Sequence, residues 1–225
     1  NIRPLGKYPL IAYSVAVARM CESIDEIIVS TDSEEIARTA EAYGAQAPFL
    51  RPSEISRDDS IDVEHFQFYN DFLTSRGEPV PDYVVHLRPT TPLREVGIVQ
   101  AAVDAILADP EATSLRSVHP HKVIPHKIFH LDGPYLRGFF PDDTRVEYYN
   151  LNRQEYPQTY VPNGYVDVIR PAVIDGHVLH GDRMIGFECD PVPDIDTLVD
   201  YESAAQMLTD PRFTDLIHYM EETYD

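Results

Sequence analysis

The sequence predicts an α/β layered fold with a doubly wound, mostly parallel sheet. Short apolar runs of strand length alternate with stretches of helical period through most of the chain, the pattern of strands covered by helices. No Gly/Ser-rich or single-charge run interrupts the 225 residues, and 43% hydrophobic content suffices for one substantial core. A single domain over residues 1–225 is therefore expected.

The elements follow in order. Leu10, Ile11, Ser14, Val15, Val17 and Ala18 recur at helical spacing, and residues 26–30 (Glu-Ile-Ile-Val-Ser) read as a buried strand. Thr31 with Glu34 fits a capping box, and Ile36, Ala40 and Tyr43 continue a helical stripe that stops at Gly44. A short strand near 47–50, a helix carrying Val63, Phe66, Asn70 and Leu73, and a strand over 83–87 repeat the alternation. A helix with Val99, Val103 and Ile106 then leads to a strand over 113–119. From 133 to 163 the helical period disappears and aromatic, proline and charged residues mix, so this stretch is expected to be an inserted, projecting element. Strands over 164–169 and 184–189 and helices around 203–208 and 213–220 complete the chain.

The 38 acidic against 18 basic residues give a formal charge of -20, which repels a phosphate backbone; nucleic acid is not an expected partner. A pocket for an anionic substrate must gather its Arg and Lys locally against that field. Cys21 and Cys189 stand far apart without metal-site spacing, and no apolar run reaches the ~20 residues of a membrane span. A soluble cytoplasmic protein with no membrane partner is expected.

The sharpest chemical motif is Pro193-Asp194-Ile195-Asp196-Thr197, after a strand and before a helix. In extended backbone, carboxylates at i and i+2 share one side, and paired hard oxygens suit Mg²⁺; by spacing alone the pair also reads as a solvated turn of an acidic protein. Arg88-Pro89-Thr90-Thr91-Pro92-Leu93-Arg94 follows the clearest strand, so its hydroxyl and guanidinium groups fall at the carboxyl edge where such sheets bind ligands. The alternative there is a rigid turn with Arg94 paired on the surface. Arg51, in Phe49-Leu50-Arg51-Pro52, and Ser60 form a comparable edge loop. Lys127 reads either as a strand residue with its amine directed to the pocket or as a solvent-facing lysine, and Arg153, Pro162, Asn163 and Gly164 complete the set; Asn163-Gly164 marks a tight turn. His119, His121, His126 and His130 lack the spacing of a metal site, and Tyr148, Tyr149, Tyr156, Tyr160 and Tyr165 read as packing or subunit-contact residues.

Taken in order, these pieces resemble the acylneuraminate cytidylyltransferase family, the CMP-sialic acid synthetases with their legionaminic-acid and Kdo relatives. The likeness runs over nearly the whole chain: Asn1-Ile2-Arg3-Pro4-Leu5-Gly6-Lys7, Val29-Ser30-Thr31-Asp32-Ser33-Glu34, Phe49-Leu50-Arg51-Pro52, the 88–94 loop, Pro162-Asn163-Gly164 and Asp194-Ile195-Asp196-Thr197. The resemblance implies a Rossmann-like domain, a homodimer formed through the projecting element at 133–163, and Mg²⁺-dependent attack of a nine-carbon nonulosonic acid on CTP with loss of pyrophosphate. Asp194 and Asp196 would then be the catalytic, metal-holding carboxylates. Asn1, Arg51 and Ser60 would contact the nucleotide, and Arg88, Lys127 and Arg153 the sugar acid.

Three departures qualify it. The family opens with a strand and a Gly-rich basic phosphate loop, and this sequence starts at Asn1, where that loop should just have ended. A chain without that segment is expected to show little or no transfer. Arg88 replaces the Gln common in the sialic-acid enzymes, and Asp167 stands where Tyr is frequent. Both, with Thr113-Ser114-Leu115-Arg116-Ser117-Val118-His119, resemble the legionaminic-acid branch. The competing readings are a non-catalytic sugar-nucleotide binding module and a glycosyltransferase using a DxD motif.

Overall fold

A tight reversal around Gly6, whose φ of +62° suits a residue without Cβ, pairs β1 (Pro4–Leu5) antiparallel with β2 (Tyr8–Pro9) and delivers the chain into α1 (Leu10–Met20). The computed structural model describes residues 1–57, 59–175 and 177–225. Residues 10–18 of α1 are all buried, as expected of a helix apolar around its whole circumference. Its residues Leu10, Tyr13, Ala16 and Val17 join the main core with Leu93, Val103, Leu115, Val168, Phe213 and Leu216.

α2 (Glu34–Ala42) starts at Ser33, not Thr31. Ser33 Oγ accepts from Ile36 N at 3.3 Å, while Thr31 is buried and its hydroxyl accepts from Ser33 N, so Thr31 shapes the turn before the cap. At the other end Gly44, with φ +99°, follows the cap; Ala45 N donates to Ala40 O and Gly44 N to Glu41 O, the paired bonds of a Schellman stop.

α3 (Asp62–Ser75), β3 (Val84–His86), α4 (Val96–Leu107), β4 (Ser114–His121), β5 (Phe129–Asp132), β6 (Tyr135–Gly138), β7 (Thr159–Ile169), β8 (Met184–Glu188), α5 (Leu198–Met207) and α6 (Thr214–Tyr224) follow. The main sheet has the order β3-β7-β4-β8. β3, β4 and β8 run one way and β7 runs against both neighbours, so α4 makes a crossover between parallel strands and the late strand β7 inserts between them. Among the described residues no helix is long and apolar enough to cross a membrane.

Residues 26–30 and 47–50 do not form the strands that their composition predicts. The first meets the residue just before the second in one parallel bridge, Ile28 with Gln46, closed by Val29 N→Gln46 O and Gln46 N→Ile27 O, both 2.8 Å. A ladder needs partners along its length. The other edge of Ile28 and Ser30 has no backbone partner among the described residues and faces a cavity of about 380 Å³ that β3 bounds on its far side.

The irregular stretch expected at 133–163 starts earlier and ends earlier. β5 and β6 form a hairpin around Gly133, three-ten turns follow at Tyr148–Asn150 and Arg153–Glu155, and β7 is already extended from Thr159. This element hangs from the outer ends of β4 and β7, where His121 pairs with Thr159. His126 stacks on Phe140 within it, at 4.0 Å between ring centroids, and Tyr148 and Tyr156 are buried there.

Asn163-Gly164 is not a turn between strands but the start of a bulge inside β7. Arg116 and Val118 on β4 face Asp167 and Pro162 on β7, so residues 163–166 swing out of register. Ser117 Oγ accepts from Val166 N, Asn163 Oδ1 from Tyr165 N, and Gly164 takes φ +68°. The strongest tie comes from Arg94, which lies at 0% exposure instead of on the surface. Its guanidinium donates to the carbonyls of Tyr165, Arg88 and Gly164 and to Ser14 Oγ, joining the bulge, the 88–94 loop and α1. Removing it leaves several buried acceptors bare, each costing about 1–3 kcal/mol. Arg94→Met is expected to lower urea-unfolding stability by about 3 kcal/mol or more, with Arg94→Lys failing to restore it because one ammonium cannot reach all four oxygens.

Candidate active site

Three segments meet at the carboxyl end of β3: the 88–94 loop, the β7 bulge and the stretch that carries Asp194. Ile195 N donates to Thr90 O at 2.7 Å, and Thr91 Oγ1 donates to Asp194 Oδ1 at 3.2 Å, fastening the acidic motif onto the loop. Gly164 lies under that contact. A Cβ there would sit 3.3 Å from Thr91 Oγ1 and 3.7 Å from Asp194 Oδ2, at a φ that side chains resist. Directly after the motif, Thr197 caps α5 reciprocally with Asp200.

These segments border a cavity of about 430 Å³ lined by Arg88, Arg116, His119, Asn163, Gly164 and Asp194. Behind it lies an ion cluster. Arg88 Nη1 donates to Asp167 Oδ2 at 3.0 Å and Nη2 to Asp62 Oδ2 at 2.6 Å, while Arg116 Nε stands 3.5 Å from Asp167 Oδ1. Asp167 is 2% exposed, so its charge is tolerable only between the two guanidinium groups. Although burial opposes it, the Asp62 carboxyl is held below its ordinary value, with Arg88 supplying the attraction. His86, on β3 below, is pushed down to about 4 by burial and by repulsion from Arg88, so its ring is neutral at pH 7.

Of the residues the sequence nominates, Arg88, Pro162, Asn163, Gly164 and Asp194 come together at this cavity. Asp196 is exposed two residues on and does not line it. Asn1 and Arg51 border the other cavity, between residues 27–31 and β3; Arg51 Nε donates to Ser56 Oγ at 2.9 Å. Ser60 closes its own turn, accepting from Arg57 N at 3.1 Å, and is not among that cavity's lining residues. Lys127 ends a three-ten turn, not a strand, and donates to Leu151 O at 2.7 Å, with Tyr156 beneath its amine. Arg153 is exposed in the same projecting element, so neither lines the cavity with Arg88. Arg116, His119 and Asp62 have no assigned role in the sequence pattern but stand at this site. Their signal is long-range: only the pairing of β4 with β7 and the packing of α3 against the 88–94 loop collect them.

The donor set around Asp194 is oxygen-rich, and no group of three His, Cys, Asp or Glu residues poised for a metal ion occurs among the described residues. A cation here would draw at most two carboxylates from the protein and take its other ligands from water and substrate, which is the habit of Mg²⁺. Thr91 occupies Asp194 Oδ1, and the side-chain-free Gly164 flanks Oδ2.

The family profile described as cytidylyltransferase matches residues 1–132, more than half of the sequence. The chain belongs to the cytidylyltransferase family. It is 38% identical over 104 residues to the CMP-N,N'-diacetyllegionaminic acid synthase of Legionella pneumophila, covering 46% of this chain and 44% of that protein. It is 28% identical over 205 residues to the N-acylneuraminate cytidylyltransferase of Escherichia coli, covering 87% of this chain and 45% of the relative. The chain thus spans under half the length of these curated relatives. Among solved structures it is similar to CMP:2-keto-3-deoxy-manno-octonic acid synthetase complexed with CTP, with a TM-score of 0.63 at 13% identity over 92% of this chain and 90% of that one. At that identity the likeness establishes the nucleotidyltransferase-type fold alone.

The buried neutral His86 gives this family member a pH signature. The unfolded chain takes up the proton near pH 6.5, whereas the folded state resists it down to about 4. Unfolding free energy should therefore fall as pH is lowered from 7 towards 4, and Asp62, whose carboxyl is depressed when folded, adds to the loss at the acid end. Urea titrations at pH 7 and pH 5 check this: His86→Gln is expected to flatten the difference, and an unchanged slope would mean that His86 is not kept neutral.

Proposed function

We propose that the protein is a CTP-dependent cytidylyltransferase that activates a nine-carbon nonulosonic acid, of sialic or legionaminic type, to its CMP-sugar. The observation that carries this reading is the meeting of Asp194, fixed by Thr91 and the Thr90 carbonyl, with two guanidinium groups around one cavity in a cytidylyltransferase-family chain. In a strongly acidic protein, the unpaired terminal nitrogens of Arg116 at this cavity are open donors for an anionic group of the substrate.

In this reading the anomeric hydroxyl of the sugar acid attacks the α-phosphorus of CTP. The new oxygen–phosphorus bond forms as the bond to pyrophosphate breaks, and the hydroxyl proton passes to solvent. Such transfer needs no covalent nucleophile from the protein; it needs positioning and charge neutralisation. Asp194 and Asp196 would hold Mg²⁺, which supplies positive charge to phosphate oxygens and acidifies a bound hydroxyl. Arg51 and Asn1 border the neighbouring cavity and are proposed on the nucleotide side, whereas the cavity with Arg88 takes the sugar acid. Lys127 and Arg153 belong to the projecting element, whose exposed Leu131, Leu136, Phe139 and Val146 support a homodimer contact.

The test is pyrophosphate release by the full-length protein with CTP, Mg²⁺ and a panel of nonulosonic acids. One or more acids should support release, and Asp194→Ala should lower kcat by about a thousandfold without altering the far-ultraviolet circular dichroism. Silence with every acid would refute the assignment, and retained turnover in the variant would remove Asp194 from the chemistry. Sedimentation of the same sample should give a dimer; a monomer would remove the proposed pairing.

A further inference from the structure

Two guanidinium groups line the proposed sugar-acid cavity, but they are not equally available. Arg88 has each terminal nitrogen committed to a different carboxylate, Asp62 and Asp167. Its charge is neutralised and its fork is fixed. Arg116 makes one contact, the 3.5 Å approach of Nε to Asp167 Oδ1, and that approach is not a hydrogen bond: Arg116 Nε and Asp167 Oδ1 are both buried without a hydrogen-bond partner. Among the described residues its terminal nitrogens donate to nothing, and the side chain keeps 30% of its surface exposed. It lines the cavity together with His119, Asn163 and Asp194.

The strand register explains why Arg116 is left open. His86, Asp167, Arg116 and Gly186 stand side by side across β3, β7, β4 and β8 and so share one face of the sheet. Asp167 flanks Arg116 on one side. On the other, Gly186 presents no side chain, so nothing on β8 covers the guanidinium at that row. A fork of unpaired donors, held at its base by a buried carboxylate and open towards a cavity, is the arrangement that takes a planar carboxylate through two parallel hydrogen bonds.

We infer that Arg116 is the specificity-determining residue that binds the carboxylate of the sugar acid, and that Arg88 is a positioning residue. Arg88 with Asp62 and Asp167 sets the wall of the cavity; Asp167 spans both guanidinium groups and orients Arg116 from behind. The sugar-acid contact implied for Arg88 by sequence resemblance thereby becomes a positioning role, and the carboxylate goes to a residue that the resemblance left without a role. This inference rests on the cytidylyltransferase reading, and Asp194, the carboxylate in the same cavity, stays on the metal and phosphate side, tied back by Thr91.

The experiment compares wild-type full-length protein with Arg116→Gln and Arg116→Lys, using an accepted nonulosonic acid and its carboxamide, in which the carboxylate charge is gone. Arg116→Gln should raise KM for the acid by about 10- to 100-fold, with KM for CTP unchanged and kcat changed far less. Arg116→Lys should recover part of the loss, since it restores charge without the planar fork. The wild type should prefer the acid to the carboxamide and Arg116→Gln should lose that preference. Equal KM increases for acid and carboxamide, or no increase for either, would overturn the inference and leave Arg116 as a mere counter-ion of Asp167. Should Arg116→Gln not fold, Arg116→Lys carries the same comparison, and its full retention of both KM and acid preference would count against a bidentate fork. Failure here leaves wild-type pyrophosphate release intact, whereas failure of the cytidylyltransferase reading abolishes it for every acid.

Discussion

The Arg94 guanidinium is the tie on which the site depends. It is fully buried and bonded only to neutral oxygens, from the bulge, the 88–94 loop and α1. Burial pulls it down to about 9, which still leaves it protonated at neutral pH. An unpaired ion is expensive to desolvate, and it persists here because its donors meet carbonyls that the bulge would otherwise leave unsatisfied. The relation is mutual: without Arg94 the bulged carbonyls of Gly164 and Tyr165 lack these donors, and without the bulge Arg94 has no cage. The Thr91 contact to Asp194 sits on this frame, as does the side-chain-free surface of Gly164 beside it.

A second constraint is electrostatic. In a chain of formal charge -20, positive potential has to be made locally. The protein gathers Arg88 and Arg116 on either side of nearly inaccessible Asp167, with Asp62 from α3 on the far side of Arg88, so the two guanidinium charges are matched by carboxylates and only the terminal donors of Arg116 stay open. The carboxylates hold the two guanidinium groups in fixed and different states, one saturated and one open. His86 is neutral within the same group, which avoids a third cation beside Arg88. Position in the sheet decides these states: cross-strand neighbours set what each side chain can touch, and the missing side chain at Gly186 is part of the arrangement.

Local pattern sufficed for much of the fold. The helical stripes at Leu10, Ile36, Val63, Val99, Ala205 and Leu216 all fall within helices, and the apolar runs around Val85, Leu115 and Ile185 fall within strands, since periodicity and burial agree there. Arg88 and Asp194 were legible because edge loops after strands are where such sheets carry chemistry. What local pattern misjudged depended on distant partners. Residues 26–30 have strand composition but a ladder partner at one point only; Asn163-Gly164 has turn composition but lies in a strand whose register is set by β4; Arg94 looks like a surface or ligand cation until the bulge encloses it. Arg116 lies in a segment that is marked only by its resemblance to one branch, with no role for the side chain, and its freedom is visible only once Asp167 and Gly186 stand on either side of it.

Cytidylyl transfer to the anomeric oxygen of a nonulosonic acid at this cavity, as proposed, is tested most directly by the fate of that oxygen. With the acid labelled by heavy oxygen at its anomeric hydroxyl and unlabelled CTP, mass spectrometry and phosphorus NMR should find the label bridging sugar and phosphorus in the CMP-sugar. Label lost to water, with the bridge drawn from the nucleotide, would mean that the sugar carbon and not the phosphorus is attacked, and would contradict the account.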